Sequence, residues 1–322
     1  MLEDFDIAKF TMDDAWRIRR TSPPEYWPEV VLDTDTYNEV DDQFAVAHAL
    51  LSSDRIRLKA IHAAPFHNNR SSGPEDGMER SYDEILRLLE KMQIDPDKTP
   101  HAHYGSLLRK GSRAWLVDTK TPQPSEAAEH LVNMAMSRRI EDQPLYVAAI
   151  GALTNVASAI LMNPTIKERI CVVWLGGHGL HWPHTREFNL KQDIAAAQVV
   201  FDSGVPLVHI PCEGVASHLI TTPIELQSTI AGKNPLGDFL YETVRDYGDC
   251  SFAWSKVIWD IAVTAWLVKS AWVQTDIVHA PIITSDGTWS FDSSRHFIRT
   301  ATRVNRDAIF ADVLGKIARS GG

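Results

Sequence analysis

Four aspartates, Asp33, Asp35, Asp41 and Asp42, crowd into the stretch VVLDTDTYNEVDDQFAVAHAL, residues 30–50. If all four were ionised in a partly dry site, their repulsion would reach several kcal/mol in aggregate. A helix N-terminus offers roughly half a positive charge, too little to offset four. A hard cation held through oxygen answers the excess, and Ca²⁺ and Mg²⁺ prefer such ligands. Taken singly, Asp41 or Asp42 reads equally well as an ordinary helix-start residue. The full set in one place reads as a site.

The elements that must position these carboxylates are legible around them. Val30, Val31 and Leu32 form a short apolar run suited to a buried parallel strand, and Phe44, Ala47, His48 and Leu51 recur at helical spacing. The acids therefore fall at a strand's carboxyl end and in the first turn of the following helix, where open α/β sheets bind ligands. An apolar strand followed by Asp-x-Asp also resembles the haloacid-dehalogenase phosphatase signature, with Asp33 as nucleophile and Mg²⁺ as cofactor. Tyr37 stands where that signature has Thr or Val.

The bulk composition narrows the classes. At 322 residues and 44% hydrophobic content the chain can bury a large core. The expected architecture is a single α/β domain over residues 30–322, an open, Rossmann-like, mostly parallel sheet flanked by helices. Residues 1–29, with a helical candidate around Met12 to Arg20 broken by Ser22, Pro23 and Pro24, are expected to be an N-terminal extension packed on its surface. Thirty-two basic against forty-two acidic residues leave a net charge of −10, and no basic stripe interleaves with aromatics, which argues against nucleic acid. The acidic N-terminus has no signal-peptide pattern and no run is long enough to span a membrane, so a soluble cytoplasmic protein is expected. Cys171, Cys212 and Cys250 show no CxxC pairing and read as reduced thiols.

Further along, Ile56 to Ala63 suggests a second strand and FHNNRSSGPEDG a polar loop at the site's rim. Tyr82 to Met92 reads as an amphipathic helix, residues 100–124 as irregular, and Ser125 as the cap of the next helix. Leu145 to Ile150 is a buried strand turning at Gly151 into a helix near Thr154 and Asn155. Cys171 to Gly177 is another core strand, Asp193 and Gly204 bound a helix, and Val205 to Ile210 follows as a strand. Helices are expected over Asn234–Tyr247 and Arg306–Ala318, with a turn at Asp286-Gly287. His178, His181 and His184 have the spacing of a metal tripod, but a proline-containing loop does not make regular spacing converge.

Four motifs in order resemble the inosine-uridine preferring nucleoside hydrolase family over residues 30–318. The first is the strand with Asp33, Asp35, Asp41 and Asp42, although five residues, Thr36 to Val40, separate Asp35 from Asp41 where the family has three. The others are the IGALTN turn, the Glu187-Phe188-Asn189 triplet and Trp259-Asp260 before an apolar helix. The resemblance implies calcium-dependent hydrolysis of the N-glycosidic bond of a small-molecule ribonucleoside, releasing base and ribose. It implies Ca²⁺ held by Asp35, Asp42, Asp260 and the Ile150 carbonyl, with Asp35 also the general base. Asp41, Glu187, Asn189 and Asn68, with Asn69 one residue away, are implied to bind ribose, and Asp33 to brace the loop. Many members carry a histidine before the last aspartate as the leaving-group acid. Trp259 stands there, as in the purine-selective branch, and implies stacking on a purine; His181 or His184 is the competing source of the proton. Dimers or tetramers are the family habit. A nucleoside- or sugar-binding protein of the same fold without turnover is the other reading.

Overall fold

The computed structural model describes residues 13–98, 106–248 and 251–320. Cys250, Met12 and the rest of the acidic N-terminus therefore lie outside the described residues. In chain order, α1 (Asp14–Arg20), β1 (Glu29–Thr34), α2 (Asp42–Leu50), β2 (Arg57–Ala63), α3 (Pro74–Lys91) and β3 (Leu108–Lys110) build the first part. Then come α4 (Glu126–Met136), β4 (Leu145–Ala149), α5 (Thr154–Met162), β5 (Ile170–Leu175), α6 (Phe188–Gln192), α7 (Ile194–Asp202) and β6 (Leu207–Ile210). The remainder comprises β7 (Ile220–Thr221), α8 (Pro223–Thr229), α9 (Pro235–Tyr247), β8 (Lys256–Val257), α10 (Ile261–Lys269), β9 (Val273–His279), β10 (Ile282–Ile283), β11 (Trp289–Ser290), β12 (Phe297–Val304) and α11 (Arg306–Arg319).

Eight strands form one sheet in the order β3-β2-β1-β4-β5-β6-β12-β9, and every neighbouring pair is parallel except β12 with β9. From β1 the chain steps outward to β2 and β3, then returns to lay β4 on the other side of β1. The strand order thus reverses between β1 and β4, which opens a crevice beyond their carboxyl ends. Helices cover both faces. Val30 and Leu32 join a core with α2, α10 and α11, while Val31 faces the opposite core with α4, α5 and α7. Burial on both faces explains why β1, β4 and β5 read as continuous apolar runs rather than alternating ones.

Local signals set most boundaries. Ser125 caps α4 by accepting from Ala128 N, Asp193 caps α7 through Ala196 N, and Asn234 caps α9 through Gly237 N. Gly287 takes φ +67° in the β10–β11 turn, a left-handed conformation that glycine adopts without strain. The helix expected from Tyr82 begins eight residues earlier, at Pro74: a first-turn proline followed by Glu75 and Asp76 is a helix start that a loop-like composition concealed. Gly77 in that turn passes so close to Phe66 that a Cβ would lie 1.8 Å from its carbonyl oxygen. Of residues 100–124, expected to be irregular, the described part from 106 on contains the three-residue β3. Strands β9 and β12 were not expected, because exposed polar side chains such as Gln274 and Arg303 interrupt the apolar pattern.

Before β1, α1 is tied down by Arg17 Nε donating to the Gly204 carbonyl and by Arg20 reaching the Asp142 and Glu168 carbonyls. Among the described residues no helix is long and apolar enough to cross a membrane.

Candidate active site

At the switch point, β1 and β4 are locked together by Ile150 N donating to the Asp33 carbonyl at 2.8 Å. Asp33 itself turns away from the crevice. It is fully buried and accepts Asn155 Nδ2 at 2.8 Å, while Asn155 Oδ1 takes Ser112 N at 2.8 Å. One asparagine at the start of α5 thereby joins the end of β1 to the loop after β3. Burial raises the Asp33 carboxyl to about 7, with the Asn155 bond pulling the other way. Replacing Asn155 by Ala is expected to destabilise the protein by about 1–3 kcal/mol for each group left unpaired. Urea unfolding measures this, and a loss below about 0.5 kcal/mol, the size of an ordinary surface change, would count against the brace.

Two residues on, Asp35 is fully buried and accepts Asn38 Nδ2 at 2.6 Å through Oδ1. Its Oδ2 is buried with no hydrogen-bond partner among the described residues, and the same holds for Oδ2 of Asp42, whose Oδ1 accepts Thr34 Oγ1. Asp260, just ahead of α10, comes from far along the chain to complete the cluster. Ligand oxygens of Asp41, Asp42 and Asp260 all lie within 4.8 Å of one another. Burial first, and the neighbouring carboxylates second, raise Asp35 and Asp260 well above the ordinary range and Asp42 to about 8. Buried, unpaired, mutually repelling carboxylate oxygens suit a hard cation, so the donor set fits calcium. The carboxylates that converge include Asp41, for which the resemblance implies a ribose contact, and Asp35 feels the charges of Asp42 and Asp41.

The longer Asp35–Asp41 turn is accommodated by new partners. Asn38 N donates back to the Asp35 carbonyl at 2.8 Å, closing the turn. Glu39 pairs with the buried Lys256 of β8 and also takes Tyr247 Oη at 3.3 Å. Burial works against the charge on Lys256, but Asp41 and Glu39 outweigh it and raise its pKa. Part of the acidic excess is therefore answered by a lysine that the motif did not disclose.

Above the cluster lies an open pocket walled by Asn38, Glu39, Asp41, Glu187, Asn189 and Trp259 among others. Glu187 caps α6, taking Gly177 N at 2.8 Å, Asn189 N at 2.9 Å and Leu190 N at 3.1 Å, and burial raises it to about 7. Asn189 Nδ2 donates to the Ile150 carbonyl at 3.1 Å and the Leu175 carbonyl at 3.0 Å, joining the ends of β4 and β5. The Ile150 oxygen thus reaches the pocket wall already holding one hydrogen bond. Trp259 is half-buried in the wall, and its amide donates to Asp41 Oδ2 at 3.2 Å.

Asn68 is placed differently from expectation. Its Nδ2 donates to the Asn38 carbonyl at 3.0 Å and its Oδ1 accepts Arg70 N at 2.8 Å, so it supports the turn from outside the pocket. From that turn it is Asn38 that joins Asn189 in the wall, a placement missed because a turn asparagine carries no directional signal. The histidines do not form a metal tripod: among the described residues the group of three candidate ligands is the aspartate trio. His178 lines the pocket, while His181 is exposed and points its ring at Gly179 and Gly214. Cys171 and Cys212 are buried free thiols.

The sequence model of the family described as inosine-uridine preferring nucleoside hydrolase matches residues 30–311. The pyrimidine-specific ribonucleoside hydrolase RihA of Salmonella arizonae is 28% identical over 192 residues, 56% of this chain and 58% of the relative. RihA of Escherichia coli O1:K1 / APEC is 27% identical over the same span. The match thus spans little more than half the length of these curated relatives. Among solved structures, the plant nucleoside hydrolase PpNRh1 superposes with a TM-score of 0.70 at 17% identity, covering 91% of this chain and 99% of that one. The purine-preferring ribonucleoside hydrolase from Gardnerella vaginalis gives 0.66 at 20% identity, over 91% and 98%. At such identities these likenesses establish the fold, a mostly parallel sheet flanked by helices.

Proposed function

Because the chain belongs to the inosine-uridine preferring nucleoside hydrolase family, we propose that it hydrolyses the N-glycosidic bond of ribonucleosides, with Ca²⁺ at its aspartate cluster. The observation that carries this reading is the pocket at the sheet's switch point, lined by Asp41 and Asp260, with Asp42 clustered against both and Asp42 and Asp35 each keeping a buried oxygen without a partner among the described residues. Asp42, Asp260 and Asp35 would hold the ion with the Ile150 carbonyl, and Asp41 stands close enough to share in that role. When bound, such an ion orients a water and lowers its pKa. Asp35 is assigned as the base that accepts the water's proton, helped by burial that already favours its protonated form. Asp41, Glu187 and Asn189 are assigned to the ribose hydroxyls, with Asn38 taking the place first given to Asn68. Release of reducing sugar from a ribonucleoside panel tests the activity. Binding without release would favour the non-catalytic reading, and phosphate release from sugar phosphates the phosphatase. Full burial of Asp33, with one oxygen taken by Asn155, speaks against the last.

Base preference is the finer part of the proposal. The RihA relatives are named as pyrimidine-specific, whereas an indole in the pocket wall favours the larger purine face. Stacking is worth ~1–3 kcal/mol per base, or roughly 5- to 150-fold. We therefore expect inosine or guanosine to be cleaved faster than uridine, and Trp259→Ala to narrow that ratio by at least about fivefold. An unchanged ratio in Trp259→Ala, or a wild type that prefers uridine, would leave the tryptophan as packing only.

Residues 30–322 are assigned to one domain and the preceding segment to an extension of it. A dimer or tetramer is the assembly to test by light scattering.

A further inference from the structure

Departure of the base needs a group to receive the electron pair's charge, and Trp259 occupies the position where the family pattern has its acid. Resting on the hydrolase reading above, we propose that His178 fills this role, donating a hydrogen bond from Nε2 to the departing base. His178 follows Gly176 and Gly177 at the carboxyl end of β5 and lines the same pocket as Trp259, Glu39 and Glu213. Three contacts pin it. Its amide donates to Thr185 Oγ1 at 3.0 Å, its carbonyl accepts Trp289 Nε1 at 3.1 Å, and its Nδ1 accepts Glu213 N at 3.4 Å.

The last contact, long for a hydrogen bond, favours one tautomer. A backbone amide can only donate, so Nδ1 presents its lone pair and the proton resides on Nε2. Nε2 has no hydrogen-bond partner among the described residues, and it is not among the sealed, unpaired atoms. The ring, with His184 5.3 Å away and Trp182 6.2 Å away, is lowered to about 4 by burial and by His184. At neutral pH it is a neutral donor with one N–H on offer. In the step, the C1′–N bond breaks and its electron pair passes to the base. The water oxygen bonds to C1′ and its proton goes to Asp35. Nε2–H donates to the ring nitrogen or oxygen on which the base's charge collects, and the released base takes its proton from solvent. His178 keeps its own proton, so no counter-acid is needed.

The test uses wild type, His178→Phe and His178→Gln on the best ribonucleoside and on p-nitrophenyl riboside, whose leaving group departs without such help. Loss of a preorganised donor of this kind costs ~10²–10³-fold in kcat. His178→Phe should therefore lose about that factor on the nucleoside and less than about tenfold on the nitrophenyl substrate. His178→Gln, which keeps an N–H near the same place, should recover at least about tenfold over Phe on the nucleoside alone. Equal losses on both substrates, or a nucleoside loss below about tenfold, would overturn the assignment while leaving the hydrolase intact. A wild type that cleaves neither substrate would overturn the hydrolase reading and this inference with it. The retained nitrophenyl activity also reports that each variant is folded.

Discussion

Replacing Asp35 by Asn is expected to lower turnover by at least the ~10²–10⁴-fold typical of a lost general base. Asparagine keeps the size and the contact with Asn38 but can neither accept a proton nor carry negative charge. Both losses act on the same step. The fold should be indifferent, because Asp35 is fully buried and burial already favours its uncharged form, which the amide copies. Thermal unfolding of the metal-free variant should accordingly match or exceed that of wild type. Asp33→Asn is the natural comparison, since Asp33 sits two residues away but is engaged with Asn155. If Asp35→Asn stays within about tenfold of wild type while Asp33→Asn destroys activity, Asp33 is the reacting carboxylate and the phosphatase alternative gains.

Exhaustive chelation is expected to abolish hydrolysis, with Ca²⁺ restoring it. Two like charges 4 Å apart repel by about 4 kcal/mol at an effective dielectric of 20. Asp41, Asp42 and Asp260, with ligand atoms within 4.8 Å of one another, cannot all ionise unaided. Lys256 offsets one charge beside Asp41 but leaves the Asp42 and Asp35 oxygens unpaired. A cation that binds only the folded protein adds about 2.7 kcal/mol at a hundredfold excess over Kd. The melting midpoint should therefore rise on adding Ca²⁺, and Asp260→Asn should remove most of that rise. Full activity in a preparation shown by elemental analysis to hold no metal would sink the calcium assignment. A melting midpoint insensitive to Ca²⁺ would do the same.

Much of the architecture was legible in the chain because its signals are local. The strand runs at Val30–Leu32, Leu145–Ile150 and Cys171–Gly177 are continuous and apolar, which is what a sheet covered on both faces requires. Ser125, Asp193 and Asn234 announce helix starts by a hydrogen bond to a residue three positions on, so composition suffices to find them. The placement of acids at a strand's carboxyl end is also local, and it pointed to the crevice before any strand order was known. Where the pattern was diluted the reading failed: β9 and β12 alternate with exposed polar groups, and α3 starts inside a segment with the composition of a loop.

The partners of the site were decided by tertiary structure alone. Asp260 reaches Asp41 and Asp42 across more than two hundred residues only because α10 packs beside α2 beneath the sheet's switch point. Which asparagine enters the pocket, Asn38 rather than Asn68, depends on how the turn closes over Asp35. Lys256 finds Glu39, and His178 rather than His181 or His184 finds the pocket wall, through loop directions that no periodicity encodes. Hydrophobic spacing specifies which face of an element is buried; it does not specify where a polar side chain on a connecting loop will point. That direction is set by the backbone hydrogen bonds and packing of residues distant in the chain, and these exist only once the sheet has formed.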